Sequence, residues 1–75
     1  MSKKQVAERM MNAVIEGWSF SNPRFTERKT GRHSMLVSEP GSEFWTGHKV
    51  NFQNGDKESG YGWINRLLDE AEVPK

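Results

Sequence analysis

Seventy-five residues, no cysteine and a net charge of +1 describe one small domain, residues 1–75, without disulfides or thiolate metal sites. No segment approaches the roughly 20 apolar residues of a membrane span. "MSKKQVAERMM" lacks the apolar run of a signal peptide, so the expectation is a soluble cytoplasmic protein. Leu, Ile, Val and Phe number 14 of the 75, close to the range in which chains stay disordered. Low net charge, three tryptophans and four methionines shift the balance to a folded chain with a thin core. Charge is split along the chain. Residues 1–37 carry seven Lys/Arg against three acids, and residues 38–75 carry four against seven. The first half is therefore the half that would attract an anionic partner.

In chain order, Ser2 and Gln5 form a capping box that starts a helix. Val6, Met10, Ala13 and Val14 fall at i, i+4, i+7 and i+8 and are expected to share its core face. Gln5, Glu8, Arg9, Asn12 and Glu16 are expected on the wet face. Gly17 is placed to end the helix in a left-handed conformation, with Trp18 folding back on the last turn. Ser19 to Pro23 is expected to be loop.

A hairpin follows, with strands over about Arg24 to Lys29 and His33 to Ser38 about a Thr30-Gly31 turn. "EPGS" breaks the second strand. A third strand is expected over His48 to Gln53, with Val50 and Phe52 on one side, Lys49 and Asn51 on the other, and a bulge at Gly47. "QNGD" is a turn. Ile64, Leu67, Leu68 and Ala71 make the apolar stripe of a second helix, with Ser59 as its N-cap candidate and Pro74 beyond its end. The fold class is α+β, in the order α-β-β-β-α, with two helices packed on one face of a three-stranded antiparallel sheet.

Chemistry-bearing patterns are few. The hairpin "RFTERKTGRH" gathers Arg24, Arg28, Lys29, Arg32 and His33 with one acid, a charge density suited to phosphates or to a protein partner and equally to a solvated tip. His33 and His48 open adjacent strands. Two histidines without cysteine give no zinc pattern, and the expectation is no metal and no cofactor. His33 is expected first as a surface strand histidine, with an acid/base working near neutral pH as the alternative. Phe44 and Trp45, beside a Pro-Gly loop, are candidate contact residues together with His48. "SGYGW" lacks the Gly-Lys-Ser/Thr of a phosphate loop, and Asp56 and Glu58 oppose an anion there. No nucleophile elbow or zinc-binding His-Glu-x-x-His is present.

The order of elements resembles the double-stranded-RNA-binding fold. Gly17-Trp18, Gly31-Arg32-His33 and Gly62 before "WINRLLDEAEV" are similar to motifs of the HicA-type mRNA-interferase toxins. That resemblance implies an RNA-binding ribonuclease with His33 in RNA cleavage. Arg32 stands where the family has serine, and Asp69, Glu70 and Glu72 make the second helix acidic. The residues themselves identify no second catalytic group. The leading expectation is therefore a non-enzymatic binding or modulator protein, of the phage or plasmid accessory type, acting on a protein or nucleoprotein partner. The interferase is the alternative.

Overall fold

The computed structural model describes residues 2–21, 24–27, 32–51 and 61–75, with residues 24–27 described by their backbone. It contains helix α1 (Lys3–Glu16), strands β1 (Ser19–Phe20), β2 (Arg24–Glu27), β3 (Arg32–Ser38) and β4 (Thr46–Asn51), and helix α2 (Gly62–Glu70). β3 is the hub of one antiparallel sheet. β1 pairs with its C-terminal end, β2 with its N-terminal end, and β4 along Arg32 to Val37. A strand has only two edges, so β1 and β2 share one of them as a single interrupted strand. The architecture is the α-β-β-β-α arrangement expected from sequence.

Three boundaries differ from the expectation. Ser19 and Phe20 are strand rather than loop, in register with Ser38 and Val37. Two residues are too few to show an alternation in sequence; β3 supplies the pairing. Ser21 holds the break: its N–H donates to the Leu36 carbonyl at 3.0 Å, and its Oγ accepts the Leu36 N–H at 2.8 Å. The third strand begins at Thr46, and Gly47 is no bulge, because it pairs in unbroken register with Leu36. α2 begins at Gly62 with Tyr61 at its N-cap, whose side chain makes no capping bond. Ser59, Phe52 and the Thr30-Gly31 turn lie outside the described residues.

Both helices end by the same backbone device. In α1, Gly17 N–H donates to Val14 O and Trp18 N–H to Ala13 O, both at 3.0 Å, with Gly17 at φ 110°. In α2, Glu72 N–H donates to Asp69 O and Val73 N–H to Leu68 O, both at 3.0 Å, with Glu72 at φ 59°. These are Schellman motifs, which consume the last carbonyls of a helix. The first has the glycine that the left-handed position favours. A Cβ there would also come within 3.2 Å of Pro40. The second has glutamate. The turn after it returns Val73 to the core.

The α1 start is as read: Gln5 N–H donates to Ser2 Oγ and Ser2 N–H to Gln5 Oε1. Its core face is as read at Val6, Met10 and Ala13 but not at Val14 or Arg9. Val6, Arg9 and Ala13 are buried, whereas Val14 is exposed together with Met11 and Ile15. The core joins Val6, Ala13, Met35, Val37, Leu67, Leu68, Ala71 and Val73. Met10, Trp18, Phe20, Val50, Trp63 and Ile64 pack around it.

Arg9 is the main departure, a wet-face expectation that is 5% exposed. Its Nη1 donates to Asn65 Oδ1 and Asp69 Oδ1, each at 2.7 Å. Its Nη2 donates to Val73 O at 2.6 Å and its Nε to Pro74 O at 3.3 Å. A guanidinium is tolerated in a core only when its donors are matched in this way. One side chain thus ties α1 to α2 and to the segment after it.

Candidate partner-binding site

The inward row of β3 is His33, Met35 and Val37; the outward row is Arg32, Ser34 and Leu36. His33 is therefore a core-facing residue and not a surface one, at 4% exposure. Its ring stacks on Trp63 of α2, with centroids 4.3 Å apart and planes 13° from parallel. Period-2 alternation with Met35 and Val37 carried this information; the aromatic partner, 30 residues onward, did not show in sequence. His48 shares the inward side, half-buried and opposite Met35, while His33 faces Val50. It lines a cleft of about 240 Å³ with Trp18, Glu39, Glu70 and Glu72. Among the described residues, no group of three or more His, Asp or Glu is placed to hold a metal ion.

The basic hairpin is partly described. Arg24 holds the register position opposite Ser34, and Glu27 the one opposite Arg32. Arg28 and Lys29 lie outside the described residues. Arg32 is exposed at the outward face, where Asn51 is its neighbour across the strands and Ser34 is paired with Lys49.

Phe44 and Trp45 lie in the connection from β3 to β4 and are 81% and 51% exposed. That connection has a defined backbone. Glu39 to Ser42 is a β-turn closed by Ser42 N–H to Glu39 O at 3.0 Å, with Pro40 at the second position and Gly41 at φ 77° at the third. These are the requirements of a type II turn. Ser38, buried, donates its hydroxyl to Ser42 O, and Ser42 Oγ accepts the Phe44 N–H at 3.1 Å. Two large aromatic side chains are thereby presented to solvent from a pinned main chain. Leu36, on the outward sheet face beside Gly47, is exposed as well.

A second apolar surface escaped the sequence reading. Met11, Val14 and Ile15 of α1 are all exposed, Ile15 at 75%. Their i, i+3, i+4 spacing was the available signal. It merged with that of the core face because Val14 sits at a helical position between the two.

The structure thus brings Arg32 close to Lys49, Asn51 and Arg66, sets Phe44 and Trp45 on their own loop, and puts His33 under α2. No helix among the described residues is long and apolar enough to cross a membrane. No protein-family model, curated protein or solved structure matches the chain.

Proposed function

We propose that this domain is a non-enzymatic binding protein that acts on a protein or nucleoprotein partner in the cytoplasm. The observation that carries the reading is the exposure of Phe44 and Trp45 on a hydrogen-bonded loop. Ordering such side chains normally costs binding energy, and a pinned loop has met part of that cost before contact. Tryptophan is the residue most enriched among binding hot spots. A chain with so few large apolar residues leaves Phe44, Trp45, Leu36 and the Met11-Val14-Ile15 face outside its core. Covering them is what a partner would contribute.

The test is quantitative recovery of a partner by the immobilised domain, wild type against Trp45→Ala and Phe44→Ala. Neither side chain is buried, so both variants keep the wild-type unfolding midpoint. Trp45→Ala is expected to weaken capture by about 2 kcal/mol, roughly 30-fold. Equal recovery by wild type and both variants would end this reading.

The HicA-like alternative makes His33 the acid/base of an RNA interferase. Burial of that imidazole against Trp63 weighs against it, since a general acid or base must reach the proton it transfers. Cleavage of labelled RNA by the wild type, lost in a folded His33→Ala variant, would replace the binding reading with the catalytic one.

A further inference from the structure

The cleft of about 240 Å³ is made by residues that follow α1, end β3, begin β4 and end α2. Trp18, Glu39, Thr46, His48, Glu70 and Glu72 line it. These segments belong to stretches described without a break, residues 2–21, 32–51 and 61–75. Glu39, Glu70 and Glu72 are exposed at its border. Among the described residues their carboxylates take part in no hydrogen bond or ion pair; the acid that the fold matches is Asp69, held by Arg9. His48 is the one described lining side chain that can carry a positive charge. The β3–β4 connection begins and ends on this cleft. Glu39 and Thr46 line it, and Phe44 and Trp45 lie between them in the chain with Glu43, a further exposed acid. A molecule that covers Phe44 and Trp45 therefore meets the rim of an acidic cleft.

The volume lies below the roughly 300–1,000 Å³ of small-molecule pockets, so it suits one inserted side chain better than a nucleotide. Carboxylates without a counter-charge repel phosphates and attract guanidinium and ammonium groups. Trp18, half-buried in the wall, supplies an indole, the aromatic ring that cations favour most. We propose, resting on the partner-binding reading of the Phe44-Trp45 loop, that the partner is a protein which places an arginine or lysine side chain in this cleft. Glu39, Glu70 and Glu72 supply the counter-charge, while Phe44 and Trp45 cover apolar surface beside that basic residue. The same charges turn away a nucleic acid backbone at this face.

The experiment titrates the ¹⁵N-labelled full chain with end-blocked pentapeptides in which leucines flank a central arginine, lysine, glutamine or glutamate. A single-stranded oligonucleotide is titrated in parallel. The arginine and lysine peptides are expected to saturate, with amide shifts at residues 18, 39, 46, 48 and 70–72 as well as at 44–45. Glu70→Gln and Glu72→Gln change exposed side chains and keep the fold. Each is expected to weaken the arginine peptide about threefold, the size of a part-exposed ion pair, and to leave the glutamine peptide unchanged. Trp45→Ala weakens both peptides alike. If the arginine and glutamine peptides bind equally at 44–45 without shifts in the cleft, the proposal is overturned and the loop reading stands. If the arginine peptide fills the cleft and Trp45→Ala leaves its affinity unchanged, the loop reading fails and the joint site with it. Absence of saturation by both basic peptides, or binding of the oligonucleotide at the cleft residues, also overturns the proposal.

Discussion

Arg9 and Arg66 occupy two regions that use the same side chain in opposite ways. Around Arg9 the guanidinium is buried, and its donors go to Asn65, Asp69, Val73 and Pro74. Around Arg66 it sits where β3 and β4 meet α2, near Arg32 and Lys49, and donates to the Asn51 carbonyl. The first region balances its charge with Asp69 and with carbonyl dipoles. The second brings cationic side chains from two strands and a helix together at the border of the sheet. A buried cation must be matched by the protein itself, whereas a cation at the border of the sheet is also reached by water.

The comparison breaks most visibly at Arg9. Arg9→Met keeps the bulk but leaves the buried Val73 carbonyl without its donor and Asp69 without its partner. The expected loss is about 3 kcal/mol, the low end for breaking a buried pair, because Asp69 is half-exposed and can rehydrate. For a domain of this size that is a large share of a total of roughly 4–11 kcal/mol. Urea unfolding followed by tryptophan fluorescence measures it, and a loss under 1 kcal/mol would mean the clamp is not structural.

A smaller change sharpens the same region. Glu72 holds a left-handed conformation that costs a non-glycine residue about 1 kcal/mol. Glu72→Gly is expected to stabilise by about 0.5 kcal/mol after the added flexibility of the unfolded chain, read as a higher urea midpoint at constant slope. A lower midpoint would show that the glutamate side chain contributes more than its backbone costs.

The smallest effect on stability is expected at Lys49. Lys49→Gln should shift unfolding by no more than about 0.5 kcal/mol, as surface substitutions do. A loss approaching that of Arg9→Met would make the two regions alike and remove the distinction between them.

Local patterns carried much of this architecture. The capping box at Ser2, the stripe of Ile64, Leu67, Leu68 and Ala71, and the left-handed Gly17 are contacts within a few residues, and spacing encodes them. What spacing could not encode were pairings at long range. Arg9 looks like a solvent residue until the carbonyls of Val73 and Pro74 arrive beside it. His33 looks like a strand opening until Trp63 covers it. Ser19-Phe20 is a strand only because β3 offers a free edge. The candidate surfaces divide the same way: Phe44 and Trp45 stood out by composition, whereas Arg66 joined Arg32 and Lys49 only through the packing of α2.

The hydrogen bonds from Arg9 to Val73 and Pro74 close almost the entire chain, at separations of 64 and 65 residues. Contacts at that separation need a large loop to be ordered before they can form. We therefore expect them to be absent from the folding transition state and made after the sheet and helices have met. Removing them then acts on one rate alone: Arg9→Met should accelerate unfolding by about the full equilibrium loss and leave the folding rate nearly unchanged. Stopped-flow kinetics would show this as a raised unfolding arm, and a slowed folding arm would place the clamp in the nucleus instead. On this view the domain acquires its lifetime, as distinct from its shape, in the last step of folding, when the two ends of the chain are joined.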